Sequence, residues 1–298
     1  VHKKESIEAA GMKYIHAEEF YITQTLEEKV RDNWHCVLIG KNWEGVRELN
    51  YLASKSFNRK DNHFFYVPRI TIDDLLNTSD NIIITSACLG GPLNHAPENI
   101  VKQLLEFMSK NKHRCFLEIQ HHNVSDQKAY NLQLVQWSKE YGIPLIAGTD
   151  THSLDEIHAE GRKILQKSKD ICFSDEDGWD LSFKTYDELC EAYRKQGALS
   201  EEVYLTAIEN TNKMADMVEE FVLDRNTKYP KIYDDPIKAF KQKINDGYKN
   251  NEYVHQRYSK KEVLDRVQEE LAVYEKVGAI DFMLLETYIR EWEKSVGI

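Results

Sequence analysis

Short apolar runs alternate along the first part of the chain with longer segments that are apolar at helical spacing. The short runs are typical of buried strands and lie at residues 12–22, 35–40, 81–86, 115–120 and 144–148. The helical spacing occurs between them, at residues 43–56, 72–76, 99–111, 125–141 and 155–167. This alternation predicts βαβ units in a mostly parallel sheet or barrel. Such folds carry their chemistry at the carboxyl ends of the strands.

The pattern changes near residue 180. A polar segment at residues 174–178 precedes a region whose apolar spacing is helical only, at residues 185–196, 200–220 and 260–277. We therefore predict an α/β domain over residues 1–180. Residues 181–298 are predicted to form a helical connector.

Residue types that bind divalent metals lie at or near the ends of four predicted strands. Alternate residues of an extended segment share a face, so an aspartate and a histidine that lie two residues apart after residue 148 can point the same way. Two histidines follow the strand that ends at residue 120, and a cysteine lies in the Gly-rich turn after residue 86. The candidate ligands are Glu18, Glu19, Cys88, His121, His122, Asp150 and His152.

Each candidate also has an ordinary explanation. Asp150 could cap a helix beside an unrelated His152. Cys88 could be a small buried packing residue, His121 and His122 could face solvent at a helix entry, and the glutamates could be surface charge. The coincidence of the four groups on successive strand ends favours a metal-binding rim.

Two further residues are interpreted from their position alone. His35 begins a predicted strand with no ligand type beside it, so no role in the rim is predicted for it. Glu118 alternates with Leu117 and Ile119, which leaves it facing either the barrel interior or the rim.

Composition narrows the function classes. The net charge of −11 and the pI near 5.5 argue against a chain that holds nucleic acid by its general field, although a local basic groove stays open. Five irregularly spaced cysteines favour a reducing compartment. There is no long apolar run that could span a membrane and no leader pattern, so we expect a cytoplasmic location.

Three segments together resemble successive motifs of a PHP domain, of the polymerase and histidinol phosphatase superfamily. They are residues 83–91 (IITSACLGG), 117–122 (LEIQHH) and 143–152 (IPLIAGTDTH). The form resembles that of the bacterial replicative DNA polymerase III alpha family. The resemblance continues beyond the rim, at residues 182–189 (SFKTYDEL), 207–215 (AIENTNKMA) and 269–282 (EELAVYEKVGAIDF).

The resemblance implies a fold and a set of ligands. The fold is a distorted (β/α)7 barrel, of which residues 1–180 would lack the first strands. Residues 181–298 would form a helical connector and the start of the polymerase palm region. The implied metal ligands are Glu19, Cys88, His122, Asp150 and His152, with Glu18 and His121 as alternatives to their neighbours. The family's opening His-x-His, with an Asp and a His after it, precedes anything in this chain. The palm Asp-x-Asp would follow residue 298. We therefore expect an N-terminally truncated fragment, and no catalytic residue is assigned.

The resemblance also implies an activity. The parent protein would be a DNA-directed DNA polymerase, a nucleotidyltransferase of DNA replication. Its PHP domain would be a phosphoesterase using zinc or manganese, with 3′–5′ exonuclease proofreading, and magnesium would serve the absent polymerase site. The expected partners are DNA, through the rest of the polymerase, and other replisome subunits, with no membrane. The alternatives are a non-catalytic scaffold or interaction module of the polymerase, and a free-standing PHP phosphoesterase.

Overall fold

The computed structural model describes residues 2–27, 30–170, 179–223 and 229–297. The chain divides into two compact units, residues 1–223 and residues 224–298. The polar segment predicted at residues 174–178 lies outside the described residues. No helix in the described part of the chain combines the length and the apolar character needed to cross a membrane.

The first unit is built on one mixed sheet, ordered β3-β4-β1-β2-β5-β6-β7. Its strands are β1 (Ala17–Thr23), β2 (Trp34–Gly40), β3 (Phe64–Phe65), β4 (Val67–Thr71), β5 (Ile82–Thr85), β6 (Cys115–Gln120) and β7 (Leu145–Gly148). Strand β1 is parallel to β4, and β5, β6 and β7 are parallel in turn. Strand β2 is antiparallel to both β1 and β5, and β3 is antiparallel to β4. The prediction of an α/β sheet is confirmed, but the sheet is mixed.

The helices of the first unit follow the predicted spacing closely. They are α1 (His2–Ala9), α2 (Trp43–Ser56), α3 (Ile72–Leu76), α4 (Pro92–His95), α5 (Glu98–Lys110), α6 (Ser125–Tyr141), α7 (Glu156–Ser168), α8 (Tyr186–Gln196) and α9 (Glu201–Asp216). Local signals fix several ends: the Asn42 side chain caps α2, Thr185 and Glu188 form a capping box on α8, and Gly142 ends α6 in the left-handed region.

The two faces of the sheet bury different sets of side chains. One face carries the main core and packs against helices that include α2, α5, α6 and α8. The other face carries a smaller cluster of Ile39, Ile83, Phe116 and Ile146, covered by Met214 and Val218. Alternation along the strands puts Glu19, His35, Thr85 and Glu118 on this second face. An apolar cluster therefore underlies the polar rim.

Helices α8 and α9 belong to the first compact unit, which extends past the boundary predicted near residue 180. Tyr193 and Ala207 are fully buried in the main core. Helix α9 also covers the outer edge of β7: Asn210 donates a hydrogen bond to the Leu145 carbonyl (3.0 Å), and Thr211 Oγ1 accepts one from the Ala147 N–H (3.0 Å). The backbone N–H and carbonyl groups at the edge of a sheet need hydrogen-bond partners, and α9 supplies them for β7.

The second unit is helical within residues 229–297. It contains α10 (Pro236–Lys249), α11 (Glu252–Arg257), α12 (Lys260–Val277) and α13 (Ile280–Val296). Phe240, Ile280 and Leu284 form its core, with the Tyr274 ring edge-on to Phe240. Helix α12 has the bounds that its apolar spacing predicts.

Candidate metal centre

Three side chains from separate parts of the chain meet at the rim. Glu19 comes from β1, His35 from the start of β2, and Cys88 from the turn after β5. The Glu19 Oε1 lies 2.8 Å from His35 Nδ1, and the Cys88 Sγ lies 3.5 Å from the same nitrogen. One ligand atom from each residue lies within 4.8 Å of the other two. Carboxylate oxygen, imidazole nitrogen and thiolate sulfur are the donor types that zinc prefers.

The sequence prediction missed His35 for a physical reason. It placed every ligand at the carboxyl end of a parallel strand. Strand β2 runs the other way, with Val37 paired to Thr85 and Tyr21 paired to His35. The first residues of β2, not the last, therefore reach the rim. The sequence around His35 does not mark it as part of a metal site, because its partners Glu19 and Cys88 are distant along the chain.

The structure also distinguishes Glu19 from Glu18. Consecutive strand residues point to opposite faces, so only Glu19 shares the face of Val37 and His35. Glu18 lies on the opposite face, where partial burial raises the pKa of its carboxyl group. Of the two glutamates, Glu19 is the one placed beside His35.

The triad is electrostatically coupled. Hydrogen bonding to Cys88, and then to Glu19, raises the pKa of His35 to about 10. The reciprocal hydrogen bond from His35 lowers the pKa of Glu19. Both contacts are to Nδ1, so this nitrogen carries a proton at neutral pH and donates a hydrogen bond to the Glu19 carboxylate. A cation that binds at Nδ1 must displace that proton.

The turn that carries Cys88 depends on close backbone packing. Ala87 has a φ of +56°, in the left-handed region. A Cβ at Gly91 would lie 2.5 Å from the Ser86 carbonyl oxygen, so residue 91 has no room for a side chain. The Gly90 carbonyl accepts a hydrogen bond from the His35 N–H (2.9 Å). The Gly-rich sequence is thus what lets Cys88 approach His35.

Asp150 and His152 lie at the same cavity as the triad. The cavity has a volume of about 510 Å³, and its wall includes Glu19, His35, Cys88, Asp150 and His152. His152 Nδ1 donates a hydrogen bond to the Asp150 carbonyl (2.7 Å), which leaves Nε2 as the ring nitrogen that is free to accept another partner. Asp150 itself has a φ of +47°.

The loop after β7 is held from a distant part of the chain. The Leu181 carbonyl accepts hydrogen bonds from the N–H groups of His152 (2.8 Å) and Ser153 (3.1 Å). Ser153 in turn accepts one from the Phe183 N–H (2.9 Å). Residues just beyond the predicted boundary at 180 therefore position the Asp-x-His motif.

His121 and His122 do not join the triad in the part of the chain that the structure describes. Both are buried, and Trp179, which lies on the cavity wall, stacks on the His122 ring with centroids 4.7 Å apart. The Asp180 backbone faces both rings, yet none of their four ring nitrogens reaches hydrogen-bonding geometry. Burial, with the neighbouring His121, lowers the pKa of His122 to about 3. The ring is therefore neutral, which is the form that binds metal ions.

The donor set fits a divalent ion. Buried polar atoms without a hydrogen bond are uncommon in folded proteins and mark places that a water or ligand completes. Among the described residues, seven of the nine such side-chain atoms belong to Gln120, His121, His122, Gln127 and Tyr130, at the end of β6 and the start of α6. Their concentration here and the triad's mixed donors both point to ligation at this rim.

Glu118 lies beneath the rim and has a defined orientation. Its Oε2 accepts a hydrogen bond from Thr85 Oγ1 (2.8 Å), and its Oε1 accepts one from Gln120 Nε2 (2.9 Å). Burial, which outweighs these bonds, raises the pKa of Glu118, and the nearby Asp150 and Glu19 carboxylates add to the rise. Gly148 packs closely beside it: a Cβ there would lie 1.9 Å from Glu118 Oε1, so the Glu118 side chain would have to leave its hydrogen-bonded position.

Comparison with known proteins identifies the families that this chain resembles. Residues 2–122 match the family described as PHP domain. The chain is 31% identical over 234 residues to the DNA polymerase III subunit alpha of Borreliella burgdorferi, covering 71% of this chain and 19% of that protein. The Aquifex aeolicus subunit is 27% identical, covering 98% and 27%, and the Helicobacter pylori subunit is 24% identical, covering 99% and 27%.

The chain thus spans about a fifth to a quarter of the length of these relatives. The matched region contains Glu19, His35, Cys88 and His122, whereas Asp150 and His152 follow it. Residues 2–122 therefore carry a PHP domain, and most of the chain is similar to DNA polymerase III alpha subunits.

Proposed function

We propose that this chain is part of a DNA polymerase III alpha subunit and that its rim is a divalent-metal phosphoesterase site. The whole protein would be a DNA-directed DNA polymerase of the replisome, in the cytoplasm, with DNA and other replisome subunits as its partners. The observation that carries the phosphoesterase proposal is the Glu19–His35–Cys88 triad, whose ligand atoms lie within 4.8 Å of one another.

The proposed ligands divide into two groups. Glu19, His35 and Cys88 form a preassembled set, and His35 becomes a ligand once it loses its Nδ1 proton. Asp150 and His152 lie across the cavity, with His152 offering Nε2. His122 would complete the site from the buried side. A bound zinc or manganese ion would lower the pKa of a coordinated water and neutralise phosphate oxygens.

The proposed substrate is the 3′ end of a DNA strand. The cavity volume of about 510 Å³ lies within the range of small-ligand sites and suits one terminal nucleotide. In the reaction, a water oxygen forms a bond to the terminal phosphorus, and the bond from phosphorus to the 3′ oxygen of the preceding nucleotide breaks. That oxygen takes a proton, and a nucleoside monophosphate leaves. This is 3′–5′ exonuclease chemistry, suited to proofreading.

We propose a distorted (β/α)7 barrel as the complete fold. The convergence of Glu19, His35, Thr85 and Glu118 on one face above an apolar cluster supports this. In that arrangement residues 1–180 would supply the barrel and its ligands. Residues 181–298 would be the helical connector, whose first two helices brace the barrel.

One observation favours a second function, as a scaffold without catalysis. The ion-paired triad already satisfies its own charges, because protonated His35 lies between Glu19 and Cys88. A rim of this kind could persist as a structural element of the polymerase, or as a docking surface for a proofreading partner.

The test uses the purified chain and a single-stranded oligonucleotide labelled at its 3′ end. We expect release of labelled nucleotide in the presence of Mn²⁺ or Zn²⁺, and its loss in the Asp150→Ala, His152→Ala double variant. The matched control is His158→Ala, which removes an exposed histidine paired with Asp155 at the start of α7. Hydrolysis that is absent from the wild type would support the scaffold function. Hydrolysis that is unchanged in the double variant would contradict the assignment of Asp150 and His152 to the phosphoesterase site.

A further inference from the structure

A buried polar network surrounds the backbone at the end of β6. Asn131 of α6 donates a hydrogen bond to the Gln120 carbonyl (2.7 Å) and accepts one from the Gln120 N–H (3.2 Å). Tyr193 of α8 donates to the Ile119 carbonyl (2.9 Å). Each of these side chains is fully or almost fully buried. The loop that leads into His121 and His122 is therefore fixed from two helices.

Gln196 is the member of this network that reaches furthest toward the rim. Its Nε2 donates hydrogen bonds to the carbonyls of Gln120 (2.9 Å) and His122 (2.8 Å). Its Oε1 accepts one from Asn131 Nδ2 (2.9 Å). The side chain is 2% exposed, so it has exchanged almost all of its contact with water for these three bonds.

The backbone of α8 gives Gln196 this position. Gln196 is the last residue of the helix, and Gly197 follows in the left-handed region with a φ of +69°. The Gly197 N–H donates to the Tyr193 carbonyl (3.0 Å), which closes the helix end. The side chain is thereby directed across the end of β6 and not into solvent.

The network satisfies the backbone of this loop but leaves the two imidazoles unsatisfied. Four ring nitrogens of His121 and His122 make no hydrogen bond although both rings are buried. A buried polar atom without a partner is destabilising, and the bonds from Gln196 and Asn131 hold the backbone of residues 120 and 122 in the position that buries these ring nitrogens. The His122 ring stacks on Trp179, a wall residue of the cavity, and a buried imidazole held in this way is typical of a ligand kept ready for an ion.

We propose that Gln196 is a positioning residue for the metal centre: it fixes the His122 carbonyl and through it the orientation of the His122 ring as a ligand. This rests on the proposed function, since it assumes that the rim binds a divalent ion. It makes a helix outside the predicted barrel, α8, part of the metal site.

The test compares two substitutions on α8. Gln196→Met keeps the side-chain length and removes all three hydrogen bonds. Tyr193→Phe is the matched control, because it removes one buried hydrogen bond from the same helix to the same strand without touching His122. Each purified chain is titrated with Co²⁺, and both the affinity and the visible absorption spectrum of the bound ion are recorded, together with the thermal midpoint.

We expect Gln196→Met to weaken Co²⁺ binding by about 10- to 100-fold, the usual effect of losing a residue that orients a ligand, and to alter the spectrum through loss of an imidazole donor. The Co²⁺ affinity of Tyr193→Phe should stay within about twofold of the wild-type affinity, which is small beside that effect. This should hold even if Tyr193→Phe lowers the thermal midpoint as much as Gln196→Met does. Gln196→Glu provides a second variant of nearly the same size. It keeps the bond from Asn131 but cannot donate to the two carbonyls, so it should resemble Gln196→Met.

The outcomes separate the two proposals. A wild-type chain that binds no Co²⁺ overturns the metal site and this inference with it. A wild type that binds Co²⁺, with both Gln196 variants matching it in affinity and spectrum, overturns the role of Gln196 alone. Equal weakening by Tyr193→Phe would also overturn it, because the effect would then follow from general destabilisation of α8.

Discussion

The His35 imidazole gives the most specific prediction, because its charge state links the triad to pH. Substituting His35→Gln removes the ionised partner of Glu19 and Cys88 but keeps a polar side chain. The folded-state pKa of about 10 lies above the unfolded value of about 6.5. The stabilisation from His35 should therefore be complete below about pH 6.5, decline as the pH rises, and vanish above about pH 10.

The magnitude follows from burial. The full rise in pKa would correspond to roughly 5 kcal/mol, at about 1.4 kcal/mol per pKa unit. The His35 side chain is 34% exposed and that of Glu19 is 52% exposed, so solvent screens the pair. Exposed ion pairs contribute about 0–1 kcal/mol, whereas hydrogen bonds to charged groups contribute about 1.5–3 kcal/mol. We expect His35→Gln to lower the free energy of unfolding by about 1–2 kcal/mol at about pH 6.

Urea unfolding of the metal-free chain in the presence of a chelator measures this difference. Wild type and His35→Gln are compared at about pH 6, 8 and 10.5, and Glu19→Gln serves as the partner variant in a double-mutant cycle. The difference in unfolding free energy should shrink steadily toward zero at the highest pH. A difference that stays constant over the whole range would refute the charged triad, as would full additivity of the two substitutions.

Two further predictions test the surroundings of the site. Gly148→Ala places a Cβ against Glu118 and should lower the free energy of unfolding by about 1–3 kcal/mol, measured by thermal or urea unfolding. Gly161→Ala in α7, where there is open space, should be neutral or slightly stabilising. Equal effects of the two substitutions would contradict the crowding at Gly148. Thr211→Val leaves the Ala147 N–H without its partner and should lower the free energy of unfolding by about 1–3 kcal/mol. Thr211→Ser keeps the hydroxyl group and should keep most of the stability. An equal loss in both variants would exclude the hydrogen bond to Ala147 as its cause.

Local pattern was sufficient to predict most of the elements. The apolar spacing of α2, α6 and α12 gave their bounds, and strands β5, β6 and β7 were found within a residue or so. The first predicted strand began too early: residues 12–16 lack strand pairing, and β1 begins at Ala17. The short hairpin of β3 and β4 was missed because β3 has only two residues, and Tyr66 between the strands adopts a φ of +63°.

The candidate site was only partly predictable, because strand direction is a property of the whole sheet. Asp150, His152 and Cys88 follow parallel strands, so their position at one rim could be expected from the sequence. His35 could not, since the reversal of β2 depends on its pairing with β1 and β5. The burial of His122 depends on Trp179 and Gln196, which lie far along the chain.

The most direct test of the metal centre is the binding of Zn²⁺ and Mn²⁺ to the purified chain, measured by titration calorimetry and elemental analysis. The wild type should bind at least one ion and release the His35 proton as it does so. The Cys88→Ser, His35→Gln double variant should bind the ion at least about tenfold more weakly. About tenfold is the lower end of the loss seen when only a residue that hydrogen-bonds to a metal ligand is removed. A wild type without bound metal, or a double variant with the metal content and affinity of the wild type, would contradict the account.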